Sequence, residues 1–176
     1  MRLILIILTT LLYAIPTIAQ EKAELLIEGS PVYVIEGAVE KPDTTMDYNL
    51  VIDLITGSSK DKNPVSGLTR LSRMINLHVA GGVPKDNLNV IAVIHAGALK
   101  SVLTNDKYQL EFKEDNPNIP IIKSLTEAGV KLYVCGQSLI FENYIKEDVL
   151  PEVGISISAL TILTTYQLKG YATLKF

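Results

Sequence analysis

From Tyr48 onward, strand-like and helix-like segments alternate along the chain. This alternation restricts the possible fold more than any other feature of the sequence. Short apolar, β-branched runs occupy residues 50–55, 88–95 and 130–135, a composition typical of strands buried on both faces. Two further short strands are predicted at 153–157 and 171–176. Because helices separate the strands, right-handed crossovers and a mostly parallel sheet follow. The sequence therefore predicts an α/β three-layer sandwich with a central sheet of about five strands.

The sequence also indicates where the helices between these strands begin and end. A helix is predicted over 65–79, where apolar residues recur at three- and four-residue spacing. Asn116 and Pro117 predict the start of the next helix, with Asn116 as its cap. Residues 111–115, which precede it, are interpreted as a solvated turn. Ser158 is predicted to cap a last helix that Gly170 closes.

Composition excludes several classes of function. The chain has 176 residues, a net charge of −3 and 48% hydrophobic residues, so it can bury a core but lacks a basic nucleic-acid footprint. It has one Cys and two His, which excludes an intramolecular disulfide framework. The same count makes a four-ligand zinc site improbable.

The N-terminal residues have the pattern of an export signal. Met1 and Arg2 precede an apolar run, and small residues follow up to Ala19. We predict a signal peptide over 1–19, an N-terminal arm over 20–47 and one domain over 48–176. The mature protein would then be exported, as a soluble periplasmic protein without further membrane contact. A retained membrane anchor is the alternative, although the run is shorter than the ~20 residues that span a bilayer.

Cys135 is the strongest candidate for a reactive residue. It ends an apolar strand and is followed by Gly136 and a predicted helix start. Backbone N–H groups and the positive end of a helix dipole favour the thiolate, the nucleophilic form of cysteine. Gly136 would let the chain turn and leave the sulfur accessible. The alternative is a buried structural cysteine, which is common.

His95 is the candidate proton partner of this thiol. The carboxyl ends of parallel strands form the usual active-site edge of such a sheet, and His95 ends the strand that precedes Cys135 in the chain. If the two strands are neighbours, the imidazole could approach the thiol and activate it. The alternative is a histidine that only binds loop backbone groups, because no third, orienting residue is visible in the sequence.

Four motifs resemble the DsrE/DsrF-like family in order and spacing. They begin at His95, Asp115, Glu127 and Ser156, and read HAGALK, DNPN, EAGVKLYVCGQS and SISALT followed by QLKGY. The resemblance covers about 48–176. It implies a small α/β sandwich that assembles as trimers or hexamers. In the best-understood members, a cysteine at a strand end carries sulfur as a persulfide, and Cys135 is the matching position.

These observations predict an exported protein that carries sulfane sulfur on Cys135. Gly136, Gln137 and Ser138 would shape the pocket, and Gly97 and Asn116 are the further predicted substrate-binding residues. The chemistry requires neither a metal nor a cofactor. The expected partners are further copies of the chain and a thiol-bearing sulfur donor or acceptor protein. The sequence leaves open whether the protein turns over as a sulfurtransferase.

The alternative is a non-catalytic oligomeric module of the same fold that binds a small molecule. The thiol would then be incidental. A third option, thiol-based redox sensing, requires a resolving thiol from elsewhere, since Cys135 is the only cysteine of the chain. Oligomerisation has support apart from the resemblance, because residues 160–176 carry more apolar side chains than one packed face requires.

Overall fold

A computed structural model describes residues 21–23, 25–27, 29–57 and 64–176. Within these residues five strands alternate with five α-helices, and short 3₁₀ segments lie at 85–87, 96–102 and 146–148. In chain order the elements are β1 (Tyr48–Leu54), α1 (Ser66–Ala80), β2 (Leu88–Ile94), α2 (Asn105–Phe112), α3 (Ile119–Glu127), β3 (Lys131–Cys135), α4 (Gly136–Phe141), β4 (Gly154–Ser156), α5 (Ala159–Leu168) and β5 (Ala172–Lys175).

The strands form one sheet in the order β4-β3-β2-β1-β5. Every neighbouring pair is parallel, with Ile52 opposite Ala92 and Ile94 opposite Val134 in register. The predicted α/β fold with a five-stranded sheet is therefore confirmed, and the sheet is parallel throughout. Because all the strands point the same way, their carboxyl ends meet at one edge.

Successive strand residues point to opposite faces of the sheet, so the two faces have different cores. The larger core lies on the side of α1 and α3 and includes Leu50, Ile52 and Leu54 of β1. The second face is covered by α5, where Val93 and Cys135 pack with Ala159. The helices thus form the outer layers of the predicted three-layer arrangement.

Helix α1 follows the periodicity predicted for it. It spans Ser66–Ala80, and Leu68, Leu71 and Ile75 are buried along one face. Each such side chain contributes about 1.5–3 kcal/mol when it is fully removed from water. The last helix, α5, is also as predicted. Ser158 caps it by accepting a hydrogen bond from the Thr161 N–H.

Two local predictions are wrong. Residues 111–115 were expected to be a solvated turn, but Glu111 and Phe112 end α2, a helix that the periodicity does not indicate because only Tyr108 in it is buried. Asn116 was expected to cap the following helix, but α3 begins at Ile119 with Asn118 as its N-cap residue. Asn116 instead lies inside the fold.

The described part of the N-terminal arm is fastened to α1 by a buried carboxamide. Asn76 Oδ1 accepts hydrogen bonds from the backbone N–H groups of Leu26 and Ile27, at 3.1 and 2.9 Å. Its Nδ2 donates to the carbonyl oxygens of Ile27 and Ser30. The Ile27 side chain is buried in the larger core. The arm over residues 21–47 therefore packs against the domain, and its boundaries stay a prediction.

The predicted signal peptide over 1–19 lies outside the described residues, and export stays a prediction. Among the helices that the structure describes, none combines the length and the apolar character needed to cross a bilayer.

Candidate functional site

Three polar residues lie on the face of the sheet that α5 covers, near the carboxyl ends of the strands. Cys135 is the last residue of β3, Asp53 is the penultimate residue of β1, and His95 directly follows β2. Ile94 is in register with Val134, so the residues that follow them, His95 and Cys135, lie at the same edge of the sheet. Neighbouring strands of a sheet are about 4.8 Å apart. The parallel topology thus brings the two predicted catalytic residues to one edge.

The Cys135 sulfur lies where two helices begin. Burial by itself raises the pKa of the Cys135 thiol. The nearby Ser138 hydroxyl and the backbone N–H groups of Ser138, Ala159 and Gln137 act in the opposite direction, and the pKa of the thiol lies below its ordinary value. Gln137 and Ser138 belong to the first turn of α4, and Ala159 is the first residue of α5. These donors stabilise the thiolate, which is the nucleophilic form.

Tight backbone packing beside Gly136 holds the two helix starts together. A Cβ atom at position 136 would lie 2.6 Å from the carbonyl oxygen of Ser156, so only glycine fits without displacing the β4 strand end. The Ser156 hydroxyl donates a hydrogen bond of 3.0 Å to the carbonyl oxygen of Val134. Cys135 is itself only 5% exposed, so the thiol is a buried group beside this close backbone contact.

The His95 ring is directed toward β1 rather than toward the thiol. Its Nε2 lies 2.7 Å from Asp53 Oδ1, and the other carboxylate oxygen lies 3.8 Å from Lys175 Nζ. The structure therefore supplies the orienting residue that the sequence did not reveal, and this residue holds the Nε2 side of the imidazole toward β1.

Asp53 is the functional candidate that the sequence analysis missed. The available signal was a carboxylate inside an otherwise apolar strand, residues 50–55. Lys, Glu, Arg and Asp are almost never fully buried unless they are paired. A carboxylate in such a run therefore indicates a partner, but only the sheet order shows that this partner is His95.

The loop after His95 has a strained backbone. Ala96 adopts a positive φ of 49°, which costs a residue other than glycine free energy and is frequent at functional sites. A Cβ at Gly97 would approach the carbonyl oxygen of Ile55 to 2.9 Å. Gly97 thus allows the loops after β1 and β2 to pack closely. Its predicted role in substrate binding stays a prediction.

A cavity of about 410 Å³ opens beside this loop. Its lining includes Gly97, Lys100, Tyr108, Phe112 and Glu142. The Lys100 ammonium lies 3.6 Å from a Glu111 carboxylate oxygen and 5.6 Å from the centre of the Phe112 ring. This cavity is of a size that holds a small molecule, and Cys135 is not among its lining residues.

Asn116 holds the structure together rather than facing a ligand. It is buried, and its Nδ2 donates to the carbonyl oxygens of Ser101 and Leu103 at 3.0 and 2.6 Å. Its Oδ1 accepts from the backbone N–H and the Nδ2 of Asn118, at 2.9 and 2.8 Å. These bonds use all four hydrogen-bonding positions of the carboxamide. These bonds give Asn116 a structural role, and its expected contact with substrate stays a prediction.

Comparison with known proteins identifies the family. The model of the DsrE/DsrF-like family matches residues 53–176. The chain belongs to the DsrE/DsrF-like family. The matched segment starts at Asp53 and contains His95 and Cys135, so every polar residue of this edge lies within the family domain. None of the curated proteins matches the sequence.

Two solved structures are similar to this chain. The ychN protein from E. coli is 19% identical, with a TM-score of 0.53, over 73% of this chain and 99% of its own. A protein of unknown function from Methanobacterium thermoautotrophicum is 17% identical, with a TM-score of 0.49, over 74% of this chain and 100% of its own. At such identities the similarity of the ychN protein establishes the shared fold alone.

The family is related to sulfur relay, which makes a reactive thiol the chemistry to test. Among the described residues, no group of three or more His, Cys, Asp or Glu side chains is arranged to hold a metal ion.

Proposed function

We propose that this protein carries sulfane sulfur as a persulfide on Cys135. The observation that carries the proposal is the position of Cys135, which ends β3 directly before α4 and packs against Ala159 at the start of α5. The polar groups at these helix starts lower the pKa of the thiol. A sulfur carrier must form a thiolate at neutral pH and must stabilise an anionic sulfur while it is bonded to another sulfur. Preorganised N–H and O–H donors meet both needs, because they require no reorganisation during the reaction.

Loading of the carrier is a balanced exchange. The Cys135 thiolate attacks the terminal sulfur of a donor persulfide, R–S–SH. The new Sγ–S bond forms as the donor's S–S bond breaks, and the donor leaves as the thiolate R–S⁻. The sulfane sulfur moves as a neutral atom, so no external oxidant or reductant takes part.

The surface beside the thiol offers a path for the donor. A shallow groove is lined by Gly136, Gln137, Ser156 and Ile157, which are the residues that directly flank the Cys135 site. A donor bound in this groove would lie beside Cys135, which is not itself among the lining residues.

Intact-mass measurement tests the proposal directly. After exposure to a low-molecular-weight persulfide and then to an alkylating agent, the wild-type protein is expected to gain one reducible sulfur on Cys135. The Cys135→Ser variant should gain no sulfur, because Cys135 is the only cysteine of the chain. A wild-type thiol that stays unmodified, in protein shown to be folded, would refute the carrier function.

That refuting result would favour the second candidate, an oligomeric module that binds a small molecule. The cavity lined by Lys100, Phe112 and Glu142 is the observation in favour of it. In this case the thiol is incidental, and ligand binding is insensitive to Cys135→Ser.

We further propose that the chain assembles into a homo-oligomer, a trimer or a hexamer, through α5. The ten residues of α5 include no charged side chain. Ile157, Leu160 and Leu168 are 74–89% exposed, and large exposed apolar patches commonly mark interfaces. Export, which rests on the composition of residues 1–19, is a separate proposal.

Disruption of the α5 face is the test of assembly. Leu160→Asp is expected to convert the oligomer to a monomer, since a charge would have to be buried between copies at a cost of several kcal/mol. Light scattering coupled to gel filtration measures the mass. The matched control is Leu110→Asp, because Leu110 is 71% exposed on α2. This substitution should leave the mass of the oligomer unchanged. A monomeric wild type would contradict the proposal.

A further inference from the structure

His95 and Cys135 have different surroundings at this edge, and within the proposed function, on which this inference rests, they have different roles. The Cys135 thiolate is stabilised by Ser138 and by backbone N–H groups of α4 and α5. Groups other than His95 therefore favour the nucleophilic form. The His95 imidazole, meanwhile, is held by Asp53 on the other side of β2. A fixed imidazole at this edge thus has no task in activating Cys135.

The hydrogen bond to Asp53 defines which ring nitrogen is available. The carboxylate accepts, so Nε2 carries the hydrogen, and the lone pair of the neutral ring then lies on Nδ1. Among the described residues, Nε2 to Asp53 is the hydrogen bond that the ring makes. Asp53 is itself held by Lys175, 3.8 Å from its other oxygen. The pair therefore presents Nδ1 in a fixed orientation at the carboxyl edge.

We infer that the Asp53–His95 pair acts on the incoming acceptor thiol when sulfur is released, with His95 as the general base and Asp53 as a positioning residue. An ordinary thiol has a pKa near 8.5 and is mostly protonated at neutral pH. The acceptor lacks the donors that surround Cys135, so it needs a base. His95 and Cys135 directly follow Ile94 and Val134, which are in register on neighbouring strands. An acceptor thiol that attacks the persulfide at this edge would therefore come close to the imidazole.

The release step balances without a further reactant. His95 Nδ1 takes the proton of the acceptor R–SH as its sulfur attacks the terminal sulfur of the Cys135 persulfide. The new R–S–S bond forms while the Sγ–S bond breaks, and Cys135 leaves as the thiolate that its donors stabilise. The imidazolium then returns its proton to solvent or to the product persulfide.

The experiment separates loading from release. Protein preloaded on Cys135 is mixed with 2-mercaptoethanol as the acceptor, and the loss of the added sulfur is followed by intact mass. His95→Ala and His95→Gln are expected to load and to alkylate at the wild-type rate. Their release should slow by about 100-fold, within the range for loss of a general base. Added imidazole should restore release in His95→Ala.

Two further variants test the assignment. Asp53→Asn should slow release by less than removal of His95, and it should add nothing in a His95→Gln background, because it acts through the ring. His78→Ala is the matched control. His78 is the other histidine of the chain, and its Nδ1 bonds the Met74 carbonyl oxygen in α1. That variant should neither slow release nor respond to imidazole.

Each result decides one claim. Release at the wild-type rate in both His95 variants would overturn the inference and leave the carrier function intact. Slower alkylation of Cys135 in these variants would also overturn it, because His95 would then act on Cys135 itself. A wild-type protein that never loads sulfur would instead refute the proposed function. If His95→Ala fails to fold, His95→Gln gives the same comparison without the rescue.

Discussion

Asn116→Ala is expected to lower the free energy of unfolding by about 3–5 kcal/mol. The substitution removes four hydrogen bonds inside the fold, to Ser101, Leu103 and two groups of Asn118. Each buried polar group that is left without a partner costs about 1–3 kcal/mol. Domains of this kind have only about 5–15 kcal/mol of stability in total, so the variant should be close to unfolding.

Denaturant-induced unfolding measures this effect. The matched control is Asn87→Ala, because Asn87 Nδ2 makes only an exposed contact of 3.5 Å with the Met46 carbonyl oxygen. Exposed substitutions of this kind usually change stability by less than about 0.5 kcal/mol. A loss below about 1 kcal/mol for Asn116→Ala would show that these bonds do not hold the loop before α3.

Ser138→Ala is expected to slow alkylation of Cys135 at neutral pH by about 10-fold or more. Burial raises the pKa of the Cys135 thiol, and the Ser138 hydroxyl is the group that lowers it most. A hydrogen bond to a charged group contributes about 1.5–3 kcal/mol, and 1.4 kcal/mol corresponds to tenfold. Its removal raises the pKa of the thiol and so reduces the thiolate fraction.

The pH dependence of the alkylation rate shows the direction in which Ser138→Ala shifts the pKa of the thiol. Thiolate is lost as the pH falls through the pKa, so the wild-type alkylation rate should persist to lower pH than that of Ser138→Ala. The control is Ser124→Ala, because the Ser124 hydroxyl bonds only the Pro120 carbonyl oxygen within α3. Superimposable pH profiles of Ser138→Ala and wild type would show that the hydroxyl does not act on the sulfur.

Most of the fold was predictable because its signals are local and periodic. The apolar runs 50–55 and 88–95 became β1 and β2, and the helical spacing of Leu68, Leu71 and Ile75 became the buried face of α1. Helix α2 was missed for the same reason. A helix that buries one residue, Tyr108, has no apolar stripe, and its Thr104 cap is a weak signal without one.

The role of Asn116 could not be read from its neighbours. Asn-Pro is a frequent helix start, and the motif occurs almost at the right place. However, Asn118 stands two residues later and became the N-cap residue. The carboxamide of Asn116 was then free to bond the carbonyl groups of residues 101 and 103. Those partners are close in space because of how the 3₁₀ segment packs on α3, which no local pattern encodes.

The sequence by itself determined the class of fold, the family resemblance and the position of Cys135 at a strand end beside a helix start. These features depend on residue types at short, regular spacings. The tertiary structure decided which groups meet there. The order of the strands gave His95 a carboxylate from β1, and the packing of α5 added the Ala159 N–H to the Cys135 sulfur. Hydrogen bonds between residues 24 to 42 positions apart depend on chain topology, and local propensity does not specify them.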